Sequence, residues 1–213
     1  MITIGVTSLK GGVGKSTITF QLASYFASEK KWNVGIRELD SQKSIADILE
    51  TYGKRLKYMG DLFDSGRLGI EDPEKEYHAV IVDTPPYIQK GAVDAIADLD
   101  FVIIPCRYSV LELVSLKKFL PSVIEAKKIN PELKYAVLFN MVKNTSMIRD
   151  IEEILTEDNV PVFATKISDR IDYGKSMQYG GLFNGVEGND GFFNERAKDE
   201  IRNLVREIQN MLQ

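Results

Sequence analysis

The sequence predicts an α/β protein: a doubly wound, mostly parallel sheet flanked by helices on both faces. Three observations carry this reading. Short apolar runs alternate with longer helical patterns along the whole chain of 213 residues. The apolar runs are near-continuous, as expected for parallel strands covered on both sides. A glycine-rich turn joins the first of them to the first helix, at the carboxyl edge where such sheets bind ligands.

The elements follow in order. Ile2–Thr7 is the first strand, and Ser16–Glu29 the helix after the glycine turn. Asn33–Leu39 is the second strand, followed by a helix over Ile45–Tyr52. Ala79–Asp83 is the third strand, with a helix over Lys90–Ala97. Phe101–Pro105 precedes the long helix Leu111–Lys128. Tyr135–Asn140 precedes the helix Ile148–Glu157. A short strand over Pro161–Thr165 and a final helix over Glu195–Leu212 complete the pattern. Between them, residues 180–193 hold five glycines and three phenylalanines, which read as a loop or hairpin. That loop is either anchored by its aromatics or open to a partner.

Bulk properties narrow the class. The length suits one domain over residues 1–213 with a full core. A chain 44% hydrophobic and 27% charged reads as globular, and no apolar run approaches a membrane span. The chain starts directly in a strand, which predicts no signal peptide. One cysteine, Cys106, excludes an internal disulfide and points to a reducing compartment. It also excludes iron–sulfur relatives that need several. The net charge of −4 does not advertise nucleic-acid binding, so any such contact must come from a local basic patch.

The strongest chemical signal is Lys10-Gly11-Gly12-Val13-Gly14-Lys15-Ser16-Thr17. Between a strand and a helix, such a turn aims backbone N–H groups and a helix N-terminus at one point, which makes a phosphate site. Lys15 reaches the β- and γ-phosphates of a nucleoside triphosphate, and the Ser16 hydroxyl ligates Mg²⁺. The plain P-loop pattern places glycine where this chain has Leu9, and it has no second lysine at the position of Lys10. Ala79-Val80-Ile81-Val82-Asp83-Thr84-Pro85-Pro86 is an apolar strand ending in one aspartate, which suits a second Mg²⁺ ligand at Asp83. Strand two ends in Glu38-Leu39-Asp40-Ser41-Gln42, and Asp40 is a carboxylate able to orient an attacking water and help hold the metal. Asp40 also reads as a helix cap. His78 reads as a solvated edge residue.

These motifs together resemble the deviant Walker A ATPases of the ParA/MinD family, closest to the short ParA partition proteins without an N-terminal DNA-binding domain. Lys10 matches the extra lysine of that family. Asp83-Thr84-Pro85-Pro86 matches its second switch, and Asp40 matches the second aspartate of its Asp-x-Asp-Pro-Gln segment. Glu38 and Ser41 depart from that segment. The resemblance implies an ATP-bound homodimer in which Lys10 contacts the partner's nucleotide, with Thr17 on the α-phosphate and Asn140 on adenine. Asn140 also reads as a turn or cap residue. It further implies slow Mg²⁺-dependent ATP hydrolysis stimulated by a ParB-like centromere-binding adaptor, non-specific double-stranded DNA binding by the dimer, and a cytoplasmic, nucleoid-associated location. Candidate DNA contacts are Lys166, Arg170, Lys175, Arg196, Lys198, Arg202 and Arg206, although Asp172, Glu195, Asp199, Glu200 and Glu207 are interleaved as on an ordinary solvated face. Three rivals stand beside segregation of plasmid or chromosomal DNA. They are positioning of other cargo, MinD-like cycling on a membrane through the apolar stripe of the last helix, and a metabolic enzyme of the dethiobiotin synthetase kind.

Overall fold

The structure of the chain, a computed structural model, describes residues 1–39, 44–53, 67–85, 91–143, 148–184 and 193–213. Among the described residues, six strands form one parallel sheet: β1 (Ile2–Val6), β2 (Val34–Glu38), β3 (Leu68–Ile70), β4 (Ala79–Asp83), β5 (Phe101–Cys106) and β6 (Lys134–Phe139). Their order is β3-β2-β4-β1-β5-β6. The chain leaves β1 toward β2 on one side, then crosses from β4 over β1 to β5 on the other. The winding therefore reverses beside β1, which places the ligand crevice at the carboxyl end of that strand.

Seven helices are described: α1 (Lys15–Ser28), α2 (Ser44–Gly53), α3 (Ala92–Ala97), α4 (Val110–Ile129), α5 (Arg149–Glu157), α6 (Ile171–Met177) and α7 (Glu195–Leu212). They cover both faces, because strand side chains alternate. On β4, Ala79 and Ile81 enter one core, whereas Val80 and Val82 enter the other. The first core gathers α1, α2, α6 and α7, with Phe20, Phe26 and Phe101 among its filled positions. The second gathers α3, α4 and α5 around Val102, Ile104 and Phe119.

Most expected elements form within two residues of their expected ends, and α7 has the bounds its period predicts. Three differences have physical causes. The strand expected at Pro161–Thr165 contributes only an isolated parallel bridge, Val137 to Val162. Glu207 of α7 explains why: its carboxylate accepts from the Ala164 and Thr165 amides at 2.7 and 2.8 Å, taking donors that a longer ladder would use. The edge strand β3 was not expected, since three residues carry no readable period. Helix α6 was not expected either; it is short, holds Gly174, and is held by contacts to α1 rather than by propensity.

Of the glycine-rich segment, residues 185–192 lie outside the described residues. Its described ends are anchored: Leu182, Phe183 and Phe193 are buried, and the Leu182 amide donates to Gln21 Oε1 at 2.9 Å. The apolar stripe of α7 is spent in the same core, with Ile201, Leu204, Val205 and Ile208 all at 0% exposure. No helix among the described residues is long and apolar enough to cross a membrane.

Candidate nucleotide site

The glycine turn sits at the carboxyl end of β1, as its sequence position requires. Gly12 and Gly14 adopt φ of +75° and +90°, a region that side chains avoid. Gly14 is the N-cap of α1 and, having no side chain, leaves the helix's first N–H groups without a side-chain cap. Those amides and the positive end of the helix dipole converge on one point, which suits a phosphate. Gly11 and Gly12 are exposed, whereas Val13 is buried and anchors the turn.

The two lysines occupy different environments. Lys15 is 7% exposed, and its ammonium donates to the Lys10 carbonyl at 3.0 Å, so it lies folded along the turn. Lys10 lies at the rim, where its Nζ is 3.3 Å from Glu112 Oε1 in the first turn of α4. Ser109 caps that helix, its Oγ accepting from the Glu112 amide at 3.2 Å. Ser16 and Thr17 are half-buried in the first turn of α1.

Asp83 is fully buried at the end of β4 and stands in register with Val6 of β1 and Glu38 of β2. The Thr84 hydroxyl donates to the Val6 carbonyl at 3.1 Å, tying the end of β4 to the strand that carries the turn. A buried carboxylate is costly unless it serves a donor or a cation. Ser16 and Asp83 together supply hard oxygen donors of the kind Mg²⁺ takes. The residues present therefore fit a magnesium nucleotide. Asp40, the expected water-orienting carboxylate, lies outside the described residues, as do Ser41 and Pro86.

Asn140 is brought to the turn as well. It is 3% exposed at the end of β6, and its Nδ2 donates to the Val13 carbonyl at 2.7 Å. A Cβ on Gly14 would stand 2.3 Å from that nitrogen. One donor of Asn140 is thus committed to bracing the phosphate turn. Cys106 is a buried core thiol whose pKa is pushed up to about 12 by desolvation, which disfavours the reactive thiolate.

The expected DNA contacts are distributed unevenly. Lys166 pairs with Glu152 at 2.6 Å, Arg170 with Glu200 at 3.2 Å, and Lys198 with Glu195 at 2.8 Å. Arg202 pairs with Glu195 and Asp199 and stacks over Phe183. Arg206 donates to Asn203 Oδ1. Among the described residues, Lys175, Arg196 and Arg206 make no ion pair. Glu200 is the hub of the segment: it accepts from the Ser168 amide and hydroxyl, the Arg170 guanidinium and the Tyr173 hydroxyl. Burial and this carboxylate push the Tyr173 phenol well above its ordinary value.

Three residues with clear roles escaped the sequence reading: Glu112, Glu200 and Glu38. The first had a signal, since Ser109-x-x-Glu112 is a capping-box spacing, although its carboxylate serves Lys10 instead. Glu38 shows only as a departure from a pattern. In the structure its carboxylate accepts from the Ile45 and Ala46 amides at 2.8 and 3.0 Å, capping α2 from the end of β2.

Comparison with known proteins agrees with this geometry. Residues 4–183 match the model of the CobQ/CobB/MinD/ParA nucleotide binding domain. The maintenance of carboxysome distribution protein A of Halothiobacillus neapolitanus is 26% identical over 97% of this chain and 95% of its own length. A plasmid partition protein of Borrelia burgdorferi B31, solved with AMPPNP, superposes with a TM-score of 0.68 at 19% identity, covering 97% of this chain and 99% of that one. A variant of McdA from Cyanothece in complex with ATP superposes with a TM-score of 0.70 at 15% identity, covering 98% and 96%. At such identities the two structures attest the fold.

Proposed function

The chain belongs to the CobQ/CobB/MinD/ParA nucleotide-binding family, and on that premise we propose that it is an ATP-hydrolysing switch that pairs with a second copy of itself when ATP is bound. The observation that carries this reading is the division of labour between two lysines on one turn. Lys15 is buried along the turn, and Lys10 stands at its rim.

The chain's own residues supply positioning and charge. The amides at Gly12–Lys15 and the start of α1 hold the phosphate oxygens, with Lys15 on the β- and γ-phosphates and Thr17 on the α-phosphate. Asn140 keeps the turn in register and offers its remaining polar atoms to the base. Ser16 and Asp83 would hold Mg²⁺, whose charge would offset that of the phosphates. Asp40 orients the attacking water. Lys10 leaves Glu112 and reaches the phosphates of the partner subunit, as an arginine finger does. No strong general base is present among the described residues, so turnover is slow until an adaptor tightens the site.

The output of the switch is sequence-independent DNA binding by the dimer, with cargo carried through a ParB-like adaptor. Lys175, Arg196 and Arg206 are the first contacts, because Lys166, Arg170, Lys198 and Arg202 are ion-paired within the fold. The cargo is plasmid or chromosomal DNA. A second reading, positioning of a protein body such as a carboxysome, is favoured by the relative from Halothiobacillus neapolitanus. A membrane-cycling role is disfavoured by the burial of the α7 stripe.

The test is binding to random-sequence duplex DNA and to anionic liposomes, side by side, with ATP, ADP or no nucleotide. The proposal expects DNA binding with ATP alone, falling with salt by a slope of roughly 0.9 per phosphate neutralised. It expects Lys175→Ala with Arg196→Ala to reduce that slope and leave nucleotide binding intact. ATP-dependent liposome binding without DNA binding would overturn it.

A further inference from the structure

We propose that Glu38 is a positioning residue of the metal site, holding the start of α2 against the hydroxyl that ligates Mg²⁺. This rests on the nucleotide reading above. The carboxylate leaves the end of β2 and accepts from the Ile45 and Ala46 amides, spanning the gap between strand and helix. A carboxylate at a helix N-terminus is held by both hydrogen bonds and the helix dipole. It also receives the Ser44 hydroxyl at 3.5 Å, and Ser44 lies 3.4 Å from the Ser16 hydroxyl. The chain of contacts thus runs from Glu38 through Ser44 to the expected metal ligand.

The strand register supplies a second, independent support. Glu38, Asp83 and Val6 stand in one row across β2, β4 and β1, and the Leu39 amide donates to the Asp83 carbonyl at 2.8 Å. One side of Glu38 is therefore locked to the strand that ends in the second metal ligand, and the other to the helix whose first residue touches the first ligand. Partners behind a metal ligand fix its orientation, and their loss costs about 10- to 100-fold in metal affinity or activity. An aspartate at this position is one methylene shorter, so the reach across the gap is a property of this chain's glutamate.

The experiment uses the full chain with Glu38→Gln, Glu38→Asp and Glu38→Ala. A fluorescent ATP analogue is titrated without metal and then with Mg²⁺, and amide exchange at Ile45 and Ala46 is followed by NMR. The inference expects faster exchange at both amides in Glu38→Ala and Glu38→Asp. It expects the Mg²⁺ concentration for half-maximal effect to rise about tenfold, with metal-free nucleotide affinity unchanged. Glu38→Gln keeps an acceptor of the same reach, so it restores slow exchange in part and a lower Mg²⁺ requirement. Should the fold be lost in Glu38→Ala, the glutamine and aspartate variants still separate the outcomes. Faster exchange with an unaltered Mg²⁺ requirement would overturn the inference, because Glu38 would then be a helix cap only. Unaltered exchange in all three variants would overturn it as well. Failure of the wild-type chain to bind the nucleotide with Mg²⁺ would overturn the underlying reading, and this inference with it.

Discussion

Gly14 shows how tightly single positions are set at the phosphate turn. Its φ of +90° excludes a side chain on conformational grounds, and the Asn140 amide nitrogen occupies the space a Cβ would need. Gly14→Ala should therefore keep the fold and weaken ATP binding about a hundredfold, since small displacements of positioning groups carry costs of that size. A titration with a fluorescent ATP analogue beside a thermal melt checks both halves. The octapeptide and Asp83 were legible in the sequence because their residue types are demanded by phosphate and metal chemistry. Asn140 was legible as a polar residue at a strand end, but its bond to the Val13 carbonyl was not. That partner lies 127 positions away and is brought near only by the sheet. The partners of Glu112 and Glu200 are distant in the same way, whereas Glu38 caps a helix that begins only a few residues on, from a strand end where cap patterns do not look.

At the scale of elements, α7 separates two readings that the sequence left open. Its apolar stripe has the period of a docked helix or of a membrane anchor, and periodicity alone cannot distinguish them. The structure buries that stripe and turns two acidic residues of the same helix inward as well, while Glu195 and Asp199 stay exposed. Glu207 binds the amides of Ala164 and Thr165, and Glu200 gathers Ser168, Arg170 and Tyr173. Of the acidic residues interleaved with the basic patch, Glu200 and Glu207 are thus clasps. Arg170 and Lys166 are likewise occupied by partners from other elements, which the spacing of charges along the chain does not show. Glu200→Ala should cost about 3 kcal/mol of stability, because it strands a half-buried guanidinium and a buried phenol. Denaturant unfolding measures this directly. A loss below about 1 kcal/mol would show the clasp to be ornamental.

For the whole molecule, the parallel sheet and its reversal beside β1 account for the placement of the site. The alternation of apolar runs was sufficient to read five of the six strands, because buried parallel strands carry a strong signal. The short β3 and α6 were unreadable, since each is held by its neighbours rather than by its own sequence. The central claim is that two copies of this site combine, with Lys10 exchanging Glu112 for the partner's phosphates. The most direct test is sedimentation of the wild-type chain and Lys10→Ala with ATP, ADP and no nucleotide, with ATP binding measured in parallel. The account predicts that the 24.0 kDa chain doubles in mass with ATP alone, and that Lys10→Ala binds ATP but stays single. A wild-type chain that binds ATP and remains a monomer, or a Lys10→Ala variant that pairs as well as wild type, would contradict it.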